Sequence, residues 1–189
     1  MHTNGDSIET IILRCREEVR EFDKSLADHR ETQMGWWKEL AGDALQEMLA
    51  HRNGAEAHLR NPSPKMRIAA LSVLANYWSA TTDKEFAISC ENLVGSDPAP
   101  DVRAVAVTWL GACYKNRKDR RIARLLAGIV CEVGEPMELR CSAYHSLCSL
   151  FGIRLELALA QVDLGGDSGF PNGVDWKFVA RCLDGAELQ

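Results

Sequence analysis

The chain has 189 residues, of which 46% are hydrophobic and 26% charged, and a formal net charge of −5. That is enough apolar sequence for one domain with a sizeable core, and the acidic balance disfavours nucleic acid, whose general binders are basic. Seven cysteines without a C-x-x-C pair do not fit a zinc knuckle or a paired disulfide frame. Most sit among apolar residues and read as buried free thiols of a reducing compartment.

The opening MHTNGDSIET has no basic segment leading into an apolar run, so it does not read as a secretory leader. No window approaches the roughly 18 apolar residues of a membrane helix, and the expected location is cytoplasmic. Ile8, Ile12, Cys15, Val19 and Phe22 share one helical face, with Asp6 or Ser7 as N-cap. A second helix follows over GWWKELAGDALQEMLAHR, where Trp37, Leu40, Ala44 and Met48 keep helical spacing.

The next hundred residues repeat. PKMRIAALSVL, PDVRAVAVTWL and PMELRCSAYHSL begin at Pro64, Pro100 and Pro136, each 36 residues after the last. Arg67, Arg103 and Arg140 follow the prolines, then Ala70, Ala106 and Ala143, then Leu74, Leu110 and Leu147; the third copy carries one extra residue between its Pro and its Arg. A fixed period in this range signals stacked structural repeats. Each copy reads as a helix: Pro suits the first position, Asp101 or Glu138 suits the positive helix end, and the small Ala lets a neighbouring helix approach. A second helix follows in each unit. Phe86, Cys90, Leu93 and Val94 form one stripe, and Ile122, Leu125, Leu126, Ile129, Val130 and Val133 form another. Polar turns GSDPAP and GEP separate the units. In the third unit, IRLELALAQVDL alternates like a strand at Ile153, Leu155, Leu157 and Leu159, but the repeat register and the helix-forming composition favour a helix.

The pattern Pro-x-Val-Arg-x-x-Ala with a following Leu resembles the first helix of a HEAT-type repeat, of the armadillo/HEAT class. Pro100, Asp101, Val102, Arg103, Ala106 and Leu110 carry it best, Pro64, Arg67, Ala70, Leu71 and Leu74 well, and Pro136, Arg140, Ala143 and Leu147 loosely. The period is shorter than the roughly 40–47 residues of HEAT units, and Lys65 stands where Asp is usual. The resemblance implies an all-α fold, an α-α superhelix (solenoid) of stacked HEAT-like helical hairpins. It also implies a structural ladder between repeats made by Arg67, Asp101, Arg103 and Arg140, and second helices that line a concave surface. The whole of 1–189 then reads as a single HEAT-like domain. Residues 1–60 form a divergent N-terminal cap, 61–162 hold three clear repeats, 163–174 are a Gly-rich loop, and 175–189 form a C-terminal cap helix. In that last helix Asp175 is the N-cap, and Trp176, Val179 and Leu183 turn inward.

No catalytic motif emerges. The Gly-rich loop fits neither a calcium loop nor a P-loop. The five histidines show no metal-ligand spacing. His145, with Cys141 one turn before and Cys148 nearly one turn after, suggests a Cys–His nucleophile, but thiols on the core face of a helix are usually inert. The electrostatic exception is KNRKDRRIAR, which packs Lys115, Arg117, Lys118, Arg120, Arg121 and Arg124 into one turn and helix start. Arg120 and Arg121 open a helix, where cations are unfavourable, and this conflict hints at a binding role. On the HEAT reading, Lys84, Ile88, Arg120 and Arg124 come from equivalent turns, so Lys84, Arg120, Arg121 and Arg124 are the expected partner-binding residues.

The expected function is a non-catalytic protein–protein interaction or scaffold module binding an acidic or phosphorylated partner, with no cofactor, no metal and no membrane. One alternative is a small enzyme on a HEAT-like scaffold, of DNA-base glycosylase or bilin lyase type. The other is an acidic immunity or inhibitor protein for a basic toxin.

Overall fold

A computed structural model describes residues 44–153 and 174–185. Contacts divide the chain into two units, Met1–Leu45 and Gln46–Gln189, and the second is described here. The expected helix over Ser7–Phe22, the choice of helix for 153–164 and the loop 163–174 lie outside the described residues, apart from Ile153, which is exposed.

Among the described residues all regular structure is helical. Residues 46–50 are helical, followed by α1 (Arg52–His58), α2 (Pro64–Asn76), a 3-10 turn (Ala80–Thr82), α3 (Lys84–Ser96), α4 (Pro100–Cys113), α5 (Arg120–Cys131), α6 (Met137–Leu150) and α7 (Trp176–Asp184). The repeat marks the helix starts. Pro64 and Pro100 open α2 and α4, and Pro136 is the residue before α6. The second helices α3 and α5 begin at Lys84 and Arg120, again 36 residues apart.

The proline-led helices form a row in which α2 lies against α4 and α4 against α6. Ala70, Ala106 and Ala143 are fully buried, as are Leu110 and Leu147, so the repeated small and large positions form the core. The closest approach is between α4 and α6. A Cβ on Gly111 would stand 2.5 Å from Ser146 Cβ and 2.9 Å from its Cα. Ser146 Oγ donates to the Val107 carbonyl at 3.0 Å within this contact, satisfying a buried hydroxyl that would otherwise be costly.

The remaining helices flank that row. Among them α1 packs mainly on α2, α3 on α4 and α5 on α6. The pairs α3 with α4 and α5 with α6 thus each take one helix from each of two successive sequence units. At the far end α7 packs on α5. There Phe151 and Phe178 meet edge to face at 5.4 Å, and Tyr144 Oη accepts from the Asp175 backbone N–H at 3.1 Å.

Two apolar assignments differ from the sequence pattern. Val133 is 81% exposed because α5 ends at Cys131, which leaves Val133 in a turn rather than on the stripe. In α7 the buried residues are Phe178, Val179 and Cys182, while Trp176 and Leu183 are exposed. Asp175 caps α7 as expected, its carboxylate accepting from the Phe178 N–H at 3.0 Å. The docked face is thus turned toward Phe178.

Candidate functional site

The repeated arginines bridge successive units. Arg67 Nε and Nη2 each donate to a different oxygen of Asp97 at 2.7 Å, and Nη1 donates to the Asn61 carbonyl at 2.7 Å. Asp97 lies in the turn before α4 and also accepts from the Ala99 N–H at 2.9 Å. Arg103 repeats the bridge one unit later, its Nη1 and Nη2 reaching the two oxygens of Glu135 at 2.6 and 2.5 Å. Arg140 donates through Nε to the Val130 carbonyl near the end of α5 at 3.0 Å. Asp101 is exposed in the first turn of α4; the acids that meet these arginines come from the turns, Asp97 and Glu135.

A second set of ion pairs joins the flanking helices. Arg52 on α1 reaches Glu56 at 2.9 Å and Asp83, the N-cap of α3, at 2.6 Å. Glu91 on α3 receives both Nη groups of Arg121 at the start of α5, Nη2 at 2.8 Å, and the Tyr114 hydroxyl at 3.1 Å. The Arg121 guanidinium, and then the Tyr114 hydroxyl, hold the Glu91 carboxyl below the usual carboxylate range against the opposing effect of burial.

These contacts place the basic cluster. Asp119 caps α5, its carboxylate accepting from the Arg121 and Ile122 N–H groups at 2.9 and 3.0 Å. Together with Glu91 it offsets the cations at that helix start. Arg124 donates through Nε to the Leu183 carbonyl at the end of α7 at 3.1 Å, where Gly185 closes the helix at φ 72°. The loop before α5 seats on the end of α6: Asn116 and Lys118, both at positive φ, donate their N–H groups to the carbonyls of Ser149 and Leu150 at 3.1 Å each. Lys118 thereby comes to a helix C-terminus, where cations are favourable. Arg117 lies 5.7 Å from the centroid of the Tyr114 ring. Of the expected partner-binding residues, Lys84, Arg120, Arg121 and Arg124 are all exposed, but Arg121 and Arg124 spend hydrogen-bonding capacity inside the protein. The conflict seen at Arg120 and Arg121 thus has an internal resolution.

Sequence reasoning missed a groove between α1 and α3. It is open to solvent and encloses about 440 Å³. Asn53, Glu56 and Ala57 of α1, with Arg60 in the turn after it, line one wall, and Glu85, Ser89 and Asn92 of α3 line the other. Leu59, Leu74, Phe86 and Leu93 supply its apolar surface. The groove exists because α1 and α3 pack on α2 and α4 more closely than on each other. The only sequence signal is the polar spacing along α3, which by itself reads as an ordinary solvated face.

Burial pushes the Cys148 and Cys182 thiols up to about 11, and it also raises Cys141. The His145 Nε2 atom is buried without a hydrogen-bond partner, and burial lowers the imidazole pKa. Cys141 and Cys148 are therefore protonated core thiols at neutral pH, and neither is poised as a nucleophile beside His145. Among the described residues no group of three or more His, Cys, Asp or Glu is placed to hold a metal ion, and no helix is long and apolar enough to cross a membrane. No protein-family model matches the chain, and no curated protein or solved structure matches it.

Proposed function

We propose that the chain is a non-catalytic protein–protein interaction or scaffold module of the HEAT-repeat type, and that the groove between α1 and α3 is its docking surface. The observation that carries this reading is the recurrence of one bridge at the repeat period, Arg67 to Asp97 and Arg103 to Glu135. Such bridges hold successive helical units in register, and stacked units serve as extended binding surfaces. The groove adds a place for a partner. It has an apolar floor for side chains, its Asn53 and Asn92 side chains can both donate and accept hydrogen bonds to a polypeptide backbone, and Ser89 Oγ, which donates to the Glu85 carbonyl at 3.0 Å, can accept one. The internal bonds of Arg121 and Arg124 favour this groove over the basic stripe as the principal contact.

Affinity capture with three forms of the chain tests the reading. Asn92→Arg fills the groove from an exposed position and is expected to lose the partner retained by wild type. Arg120→Glu with Arg124→Glu is expected to retain it with a smaller change. If the charge reversal abolishes capture while Asn92→Arg leaves it intact, the docking surface is the basic stripe and the partner is acidic or phosphorylated.

A further inference from the structure

The turn between α4 and α5 carries positive charge that the fold does not consume. Lys115, Arg117 and Lys118 are exposed there. Two acids adjoin the turn, and both are engaged: Glu91 holds Arg121, and Asp119 caps α5 through the Arg121 and Ile122 N–H groups. The backbone under the cations is anchored, since the Asn116 and Lys118 N–H groups donate to the Ser149 and Leu150 carbonyls at 3.1 Å each. Ile153, three residues after Leu150, is 39% exposed.

The turn between α5 and α6 is its chemical opposite. Val133 is 81% and Met137 53% exposed, and the exposed Glu132 and Glu138 flank them in the sequence. The cations of this region are turned inward. Arg103 grips Glu135 through both Nη groups, and Arg140 Nε donates to the Val130 carbonyl. Those bonds anchor the turn, and one Glu132 oxygen accepts from the Gly134 N–H at 3.2 Å to fix its tip. The 12 residues of α5 separate the two turns by about 18 Å, more than twice the Debye length of about 8 Å at physiological salt. The charges at the two ends of α5 therefore cannot neutralise one another within one molecule.

We propose that the α4–α5 turn is a docking surface for the α5–α6 turn of a second copy of this chain. Lys115, Arg117 and Lys118 of one copy meet the carboxylates of Glu132 and Glu138 of the other, and the contact removes Val133 and Met137 from water. Pairing either turn with itself would set like charges against each other. The contact is therefore heterologous: each copy offers one surface of each kind, and association runs head to tail instead of stopping at a symmetric pair. Two turns make a small interface, so the association is weak and concentration-dependent. It uses no residue of the groove between α1 and α3, and stands or falls apart from the docking proposed there.

Sedimentation velocity of the full chain tests this, with dithiothreitol present so that the exposed Cys131 does not couple copies covalently. At about 0.1 M salt the sedimentation coefficient should rise with protein concentration up to about 1 mM. It should return to the monomer value at about 1 M salt, where the Debye length falls to about 3 Å. Lys115→Glu with Lys118→Glu, and separately Glu132→Lys with Glu138→Lys, should each weaken association by at least about tenfold. Mixed one to one, the two variants should associate again, because the first keeps the acidic turn and the second the basic turn, and together they rebuild one native contact. Wild type that stays monomeric throughout, association that either reversal leaves unchanged, or variants that stay apart on mixing would overturn the proposal. Circular dichroism checks that the variants fold. Should a reversal fail to fold, the neutral pair Lys115→Gln with Lys118→Gln takes its place, and association that this pair leaves unchanged counts equally against the proposal.

Discussion

Arg67 and Asp97 form a bidentate ion pair with almost no access to water, the two side chains being 9% and 3% exposed. Asp97 also accepts from Ala99, and Arg67 also donates to the carbonyls of Asn61 and Pro62. The pair thus joins the turns that precede α2 and α4. Arg67→Ala strands a buried carboxylate and is expected to destabilise the fold by about 3–5 kcal/mol, the range for breaking a buried pair from one side. In a denaturant double-mutant cycle, Arg67→Ala with Asp97→Ala should cost clearly less than the sum of the single changes. Additive costs would show that the pair does not act as a unit.

Arg103 makes the corresponding bridge in a wetter place, with Arg103 and Glu135 side chains 21% and 20% exposed. Arg103→Ala is expected to cost about 1–3 kcal/mol, less than Arg67→Ala. Urea unfolding of the two variants side by side checks the order, and a reversed order would mean that burial does not set the strength of these bridges.

Gly111→Ala tests the α4–α6 contact. The added methyl would meet Ser146 at its Cβ and its backbone, so a helix must shift rather than a flexible side chain. A loss of about 1–3 kcal/mol is expected from overpacking, with partial recovery on adding Ser146→Gly. Thermal melting of the single and double variants reads this out.

Acid should act on His145 before it acts on Glu91. Burial lowers the His145 pKa below its ordinary value of 6.5, so the unfolded chain takes up the proton first. Stability is full above that value and declines as pH falls below it toward the folded pKa. Glu91 also has a lowered folded pKa, and its contribution is lost at more acid pH, below its ordinary value of 4.5. The urea midpoint of wild type should therefore fall between about pH 7 and about pH 5, and His145→Leu should flatten that part of the profile while leaving the more acid decline.

Much of the fold was legible in the sequence, because Pro at a helix start and Arg three positions on are local signals. Pro64, Pro100, Arg67 and Arg103 mark helices directly, and Ala70, Ala106 and Ala143 mark the contacts between them. The acids that answer the arginines were not legible. Asp97 stands three residues before its proline and Glu135 one residue before, in turns of different length, so no fixed offset reveals them and Asp101 was the natural choice. The pairing of Arg121 with Glu91 spans 30 residues, and only the packed fold brings them together. The inward face of α7 was misread because Trp176 and Leu183 are apolar, yet the helix docks through Phe178 against Phe151. The groove escaped notice for a related reason: Asn53, Ser89 and Asn92 are ordinary surface residues until α1 and α3 stand apart.

Whether the groove between α1 and α3 receives a protein partner is read out by site-specific photo-cross-linking. A photoreactive amino acid is placed at Ser89, inside the groove, and in a separate chain at Thr108, on the exposed side of α4. A discrete adduct is expected from Ser89 in cells, absent from Thr108 and lost when Asn92→Arg is added. Equal adducts from both positions, or an adduct from Thr108 with none from Ser89, would show that the partner does not dock in the groove.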